Sequence, residues 1–481
     1  MTYPSLLFTA APSRTQITRE TFDDLKLDLL LSNEAISAMT TAGTPEDIPI
    51  RQELFRVLEN KNIRLQLKLL ARNIEEVYKL DAAYNASKCD NERNYLYFNL
   101  INAEMKFFRN AAKTEGKGFF LERFVNFFKK EFDREECCKA EEITSLNFPK
   151  SDLVRINCLR LKGDTMHIRT EDETTIVSRL NKCAKDLGIS DTREKRDVSI
   201  KIKPRIINGL ATLYPESFKL FKEFYEEFSG FYASEVLKYR SELNFYLEVS
   251  EIIDRVKSMG MPVCWPSVSA EKKFIIRGAR DISLIAKNVV NIVPNDVEFT
   301  SEEPFCYLTG ANGGGKTTYL RAVGITAIMF LCGCPLVCND AELYPVGGVY
   351  THFPRDERFD GDGRFADEQS RVKEILANDM SDALVLLNET YSTTNEEIAT
   401  DLTGKLADYL FEKGAFGIYI THQHGVGNTK IPFLSVIVDA SDENRRTYRI
   451  ERRRGASDSF ALDILKKYGL TADALRARFV K

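Results

Sequence analysis

The sequence predicts a mixed fold, α followed by α/β: a helical core and lever, then a domain in which strands, loops and helices alternate. Three observations predict it. Apolar residues recur at helical spacing over most of the first 260 positions. The two prolines of GMPVCWPS, near Met261, end that pattern. Beyond them come short apolar runs bounded by turn residues, the texture of strands buried on both faces of a parallel sheet.

Residues 1–144 read as the amino-terminal helical core. The leucines of DDLKLDLLLS and the apolar positions of LFRVLENKNIRLQLKLLARNIEEVYKL fall at helical period. YLYFNLINAEMKFFRNAAK and FFLERFVNFFKKEF read as aromatic-rich helices whose rings form core stripes rather than cofactor contacts. Residues 145–205 read as a small mixed, clamp-like module. Here LVRINCLRLKGDTMHIRT and VSIKIKPRIING carry β-branched runs separated by turn residues, with a helix between them. The lever occupies 206–260, where the stretch from YPESFKLF to DRVKSM keeps helical period with Gly230 as its one glycine. It predicts one long helix or two nearly collinear ones.

Residues 261–481 read as one α/β domain, with strands at EKKFIIRG, VPNDVEFT, FCYLTG, ALVLLNE and GIYITHQ. The apolar run from Ala322 to Cys338 is short for a membrane span and contains Pro335 and two glycines. A buried helix followed by a strand is expected there, and no membrane span.

Composition bounds the partners. A chain of 481 residues, 43% hydrophobic and 29% charged, suits two to four globular domains. A net charge of −4 excludes a globally basic nucleic-acid binder but leaves room for a local basic face. Ten cysteines behind a start without a secretory leader read as reduced thiols in a cytoplasmic protein. Cys332, Cys334 and Cys338 lack a fourth ligand at zinc spacing and are expected to be buried thiols.

The chemistry is carried by TGANGGGKTTYLRAVG. Gly310, Gly315, Lys316 and Thr317 satisfy the phosphate-loop spacing GxxxxGK[ST], with Ala311, Asn312, Gly313 and Gly314 inside the loop and Thr318 just after it. Glycines let main-chain N–H groups curl around phosphates, Lys316 supplies a point charge and Thr317 offers a hydroxyl to Mg²⁺. A helix starting near Lys316 aims its positive end at the same anion. ATP with Mg²⁺ is therefore the expected cofactor. Downstream, the apolar run ALVLLNET ends in Asn388 and Glu389. Glu389 is expected to orient or deprotonate the attacking water. Asn388 stands where an aspartate usually holds the metal; an amide keeps an acceptor oxygen but loses the charge, so slow hydrolysis is expected. His422, just past GIYIT, is placed to reach the γ-phosphate from the sheet's carboxyl edge, while His424 reads as facing solvent.

With these residues in hand, the chain resembles the MutS family of DNA mismatch-repair ATPases. GANGGGKTTYLR is similar to the family's GPNMGGKSTYLR at every structural glycine, at the asparagine and at the YLR tail. VPNDVEF, LVLLNETYSTT, THQH and the closing YRIERRRGASDSFALDILKKYGL follow in the family's order. LNFYLEVSEIIDRVKSMGMPVCWPS resembles the lever that leads into the ATPase, and IPIRQELFRVLEN the start of the core domain. The resemblance implies an ABC-type ATPase domain and dimers in which each site is completed by a signature segment of the partner. The matching stretch is GRFADE: Phe365 and Glu368 fit, while Gly363 and Arg364 replace the expected Ser and Thr. Arg364 reads either as a charge for the partner's γ-phosphate or as a solvent-facing loop residue. The chain is expected to be a short MutS-like paralogue without the amino-terminal mismatch-reading domain, whose wedge NFYLE does not match, and without an added nuclease-like tail.

The resemblance implies two copies clasping duplex, mismatched or branched DNA and passing a signal to a downstream repair protein, in the cytoplasm or, in a bacterium, at the nucleoid. Residues Arg160, Lys162, His167, Arg169, Arg193, Lys195, Arg196, Lys201, Lys203 and Arg205 form a locally basic module. They read as phosphate contacts or as a solvated face balanced by Asp191, Glu194 and Asp197. The basic run Arg452, Arg453 and Arg454 reads as projecting from a strand end. Two functions follow: an ATP-gated DNA clamp, or a nucleotide-controlled protein-interaction switch without direct DNA binding. A transporter ATPase is disfavoured by the absence of an LSGGQ-type signature between Lys316 and Glu389.

Overall fold

A computed structural model describes residues 3–10, 17–145, 158–162, 165–169, 207–208, 211–212, 215–354, 364–391, 395–423, 430–438 and 446–453. In chain order the helices of the first part are α1 (Arg19–Asp24), α2 (Asn33–Met39), α3 (Asp47–Val57), α4 (Lys61–Asn85), α5 (Asp90–Ala112), α6 (Phe119–Phe132) and α7 (Glu135–Ser145). The hairpin β1 (Cys158–Lys162) and β2 (Thr165–Arg169) follows, then α8 (Pro215–Phe228) and α9 (Lys238–Ser258). After them come β3 (Ser267–Val268), β4 (Phe274–Ala279), β5 (Asn295–Phe299), β6 (Phe305–Thr309), α10 (Lys316–Leu331), β7 (Asp340–Leu343) and β8 (Gly348–His352). The last elements are α11 (Arg364–Leu376), β9 (Ala383–Asn388), α12 (Glu396–Lys413), β10 (Phe416–Ile420), β11 (Phe433–Val438) and β12 (Arg446–Arg453). The fold is thus mixed helical and α/β, as the sequence predicts.

Contacts divide the chain into two compact units, the larger comprising Pro4–Lys68, Glu115–Phe124 and Lys238–Lys481. Its six-stranded sheet runs β12-β11-β6-β10-β9-β8. The pairs from β11 to β8 are parallel, and β12 closes one edge antiparallel. Every residue of β6, β8, β9 and β10 is buried, which explains their unbroken apolar runs: helices cover both faces. Val385 and Leu387 of β9 pack with Leu406 and Leu410 of α12. On the other face α10 is apolar all round and almost wholly buried, so its burial is in the domain core. A second sheet, β3-β7-β4-β5, stands in the same unit. Among the described residues no helix is long and apolar enough to cross a membrane.

The amino-terminal segment is built into this unit. Leu25 fills the space beside Gly324 of α10, where an added Cβ would lie 2.6 Å from Leu25 Cδ2. Gly43 N–H donates to Leu331 O at 3.0 Å, and Gln52 Nε2 donates to Pro266 O at 2.9 Å. Ser32 caps α2 and also donates from Oγ to Glu248 of α9 at 2.6 Å, so one residue starts a helix and docks it. Residues 4–68 therefore fall in one unit with 115–124 and 238–481.

The smaller unit comprises Tyr3, Leu69–Thr114 and Val125–Leu237. The aromatic stripes do form its core: Phe98 of α5 lies 5.1 Å from Phe221 and 5.0 Å from Phe224 of α8, and Phe107 meets Phe128 edge-on at 5.4 Å. Each such buried ring contributes roughly 1.5–3 kcal/mol by leaving water. In the β1–β2 hairpin Arg160 pairs with His167 and Cys158 with Arg169, so Arg160, Lys162, His167 and Arg169 share one face by register while Leu159, Leu161, Met166 and Ile168 share the other.

The lever stretch, expected as one helix or two, forms two: α8 stops at Phe228, Gly230 turns left-handed at φ +108°, and α9 begins at Lys238 after a 3-10 turn at Ser234–Leu237. Two other expectations are corrected. DDLKLDLLLS is likewise divided, because Lys26 at φ 61° ends the turn after α1 and Leu27–Leu29 forms a 3-10 helix. After α10 the run to Cys338 is not a strand; Leu336 makes a single bridge to Cys264 and β7 starts at Asp340. Cys332, Cys334 and Cys338 are buried thiols. The strand expected at VSIKIKP, the helix before it and most of the closing segment lie outside the described residues, as do Gly363, His424, Arg454 and the basic residues from Arg193 to Arg205.

Candidate active site

Three neighbouring parallel strands deliver the candidate site. β10 lies between β6 and β9, so their carboxyl ends, Thr309, Asn388 and Ile420, open side by side. The candidate phosphate loop follows β6, Glu389 follows β9 and His422 follows β10. Ligands of open α/β sheets bind at this edge.

The loop's shape follows from its glycines. Gly315 caps α10 at φ +97°, a conformation that L side chains resist, and so turns the chain from loop into helix within one residue. At Gly310 an added Cβ would lie 2.8 Å from Val436 Cγ2, so the loop lies directly on β11. Asn312 and Gly313 are exposed, Ala311, Thr317 and Thr318 are half-buried, and Gly314 is buried. The main chain thus presents a cradle that side chains would fill.

Lys316 is 5% exposed and its Nζ donates to Gly310 O at 2.6 Å, with Ala311 O and Asn312 Oδ1 each at 3.4 Å. Burial pulls its pKa down to about 8, against the opposing pull of the Glu389 carboxylate. Lys316 Nζ is 3.2 Å from His422 Nε2, and that same nitrogen is 3.1 Å from Glu389 Oε1. One ring nitrogen cannot donate to the carboxylate and accept from the ammonium together, so the tautomer decides which contact is a hydrogen bond. His422 beside it holds the Glu389 carboxyl below the usual carboxylate range, with Lys316 adding to the effect and burial opposing it. Glu389 is therefore an anion at neutral pH. Its backbone is left-handed at φ +52°, as is that of Tyr391 at φ +66°, each costing roughly 1–3 kcal/mol unless neighbours enforce it.

Asn388 is 7% exposed, and its buried Oδ1 has no hydrogen-bond partner among the described residues. A buried amide oxygen left open beside a phosphate-loop cradle fits a role in holding a hydrated cation. Thr317 is the other expected metal group. The backbones of Arg364 and Phe365 begin α11, but their side chains, like Gly363 as a whole, lie outside what the structure describes; Glu368, further along α11, is buried.

Sequence reasoning missed Arg446. Its Nη1 donates to Asn312 O, and it approaches Gly313 to 3.2 Å from an added Cβ. Nothing in RRTYRIERRR distinguishes this arginine from its neighbours, because only the β11–β12 pairing brings it to the loop. Thr390 and His352 were missed likewise, since the β8–β9 pairing brings them together.

Comparison with known proteins finds one family. The model of MutS domain V matches residues 306–475. A DNA mismatch repair protein MutS of Lactobacillus delbrueckii subsp. bulgaricus is 27% identical over 221 residues, 44% of this chain and 26% of that protein. The DNA mismatch repair protein MutS of Aquifex pyrophilus is 25% identical over 285 residues, 57% of this chain and 33% of that protein. The DNA mismatch repair protein msh-2 of Neurospora crassa is 28% identical over 153 residues, 31% of this chain and 16% of that protein. The matched stretch therefore spans a third or less of each of these relatives.

Proposed function

The chain belongs to the MutS family, and from that premise we propose that it is an ATP-dependent DNA-binding protein, a dimer whose closure is gated by ATP. The observation that carries this reading is the convergence of Lys316, His422 and Glu389, in consecutive contact at 3.2 and 3.1 Å, on a glycine cradle at the sheet's carboxyl edge. In this reading the carboxy-terminal region is an ABC-type ATPase domain. The triphosphate takes Lys316 Nζ from the Gly310 carbonyl, which restores an anionic partner to a buried ammonium. Glu389, ionised, accepts the proton of the attacking water or fixes its orientation, and His422 bridges the carboxylate and the phosphate end of the site. Thr317 and Asn388 would hold Mg²⁺, which supplies positive charge to the phosphate oxygens. Because Asn388 brings no charge of its own, hydrolysis is slow.

Gly363, Arg364 and Phe365 complete the partner's site, so that nucleotide fastens two copies together. The four basic residues that share one face of the β1–β2 hairpin support contact with DNA phosphates, on duplex, mismatched or branched substrates. Nucleotide titration and sedimentation of the purified chain test this, together with binding to homoduplex, mismatch and four-way junction with and without ATP. ATP-driven dimerisation with a DNA affinity that shifts on nucleotide addition, both lost in Lys316→Ala, is expected. A chain that ignores adenine nucleotides overturns the proposal. Dimerisation without DNA binding replaces it with a nucleotide-controlled protein switch.

A further inference from the structure

We infer that Thr390 is the positioning residue of the candidate base, clamping Glu389 in place through two buried partners, His352 and Tyr419. This rests on the reading of Glu389 given above. Thr390 lies between the two left-handed residues Glu389 and Tyr391, at φ +52° and +66°, and is itself 2% exposed. Both ends of it are tied. Its Oγ1 is 3.0 Å from Nδ1 of His352, the last residue of β8, and its carbonyl accepts from Tyr419 Oη at 2.9 Å. Tyr419 has one proton, spent on Thr390 O, so the 3.0 Å contact with Thr403 Oγ1 has threonine as donor. Strands β8 and β10 therefore meet on this one residue, and helix α12 braces Tyr419.

The physical need is clear from the chain's direction. Glu389 N–H still donates to Ile420 O at 3.0 Å and so continues the ladder between β9 and β10. The next residues must leave the sheet abruptly through two conformations that non-glycine residues avoid. Such a turn persists only where its surroundings over-determine it. A side-chain bond and a main-chain bond on the residue between the strained pair do so, and they set the direction in which the Glu389 side chain leaves the backbone. His422 meets Glu389 at the carboxylate, whereas Thr390 is held next to its backbone.

Thr390→Val keeps the shape and removes the hydroxyl; Thr390→Ser keeps the hydroxyl. The full chain is measured two ways. Turnover at saturating ATP is expected to fall about tenfold in Thr390→Val with ATP affinity within twofold of wild type. Thr390→Ser recovers it, and on a Glu389→Gln background Thr390→Val costs nothing more. Ring-¹⁵N signals at a fixed pH read the same geometry without nucleotide, which is practical because the chain has four histidines. The His422 signals of Thr390→Val are expected to move toward those of Glu389→Gln, and Thr390→Ser to restore them. Unmoved His422 signals, or a serine variant no better than valine, overturn the clamp. A wild-type chain that does not bind ATP overturns the functional reading instead, and the nucleotide-free signals still decide the clamp.

Discussion

Lys316 occupies a position in which a charge is both necessary and costly. Its ammonium is surrounded by carbonyls and an imidazole, and burial has pulled its pKa to about 8. A triphosphate favours the charged form, so nucleotide binds the protonated lysine and raises its pKa. The affinity for ATP is therefore expected to be level below about pH 8 and to weaken as pH rises through it, about tenfold per unit, with proton uptake on binding. Titrations between pH 7 and 9.5 check this; a flat profile would rule out Lys316 as the anion's partner. At Asn388 a neutral oxygen stands unpartnered where charge would help a cation. Asn388→Asp is expected to raise turnover about tenfold, worth about 1.4 kcal/mol in the transition state, with steady-state hydrolysis as the measurement. Lys316 was singled out by its spacing in the glycine loop and Asn388 by its place at the end of an apolar run. Arg446 and Thr390 were not, because their meaning lies in partners far along the chain.

At the scale of elements, α1 shows how the amino-terminal segment is anchored. Asp24, 6% exposed, accepts from Thr351 Oγ1 of β8 at 2.8 Å and from Arg371 of α11 at 3.0 Å, while its carbonyl accepts from Arg321 of α10 at 3.1 Å. One carboxylate thus joins the strand that carries His352 to helix α11. Removing it leaves Arg371 without its buried counter-ion, so Asp24→Ala is expected to destabilise the fold by roughly 3 kcal/mol. Urea unfolding checks the value, and a loss well under 1 kcal/mol would show the pair to be incidental. Strands β6, β9 and β10 were readable as apolar runs, since a strand covered on both faces has no alternation to show. The lever stretch left one helix or two open, because α8 and α9 each keep an apolar stripe; the left-handed backbone at Gly230 follows the end of α8.

At the scale of the whole molecule, a chain with net charge −4 must concentrate any DNA contact locally. If the hairpin's basic face carries it, affinity is expected to fall roughly tenfold or more between about 50 and 200 mM salt, without sequence preference. Arg160→Ala with Lys162→Ala should flatten that dependence, read by anisotropy on labelled duplex; an unchanged slope places DNA elsewhere. By itself the sequence determined the order of textures and displayed the phosphate-loop spacing, because hydrophobic period and GxxxxGK[ST] spacing are local and survive without a fold. Tertiary structure alone decided that residues 4–68 pack with 238–481, that Lys316, His422 and Glu389 meet, and that Thr390 is held from two strands. The site contacts join residues up to 106 positions apart, and the sheet order β6-β10-β9-β8 brings them within hydrogen-bonding reach.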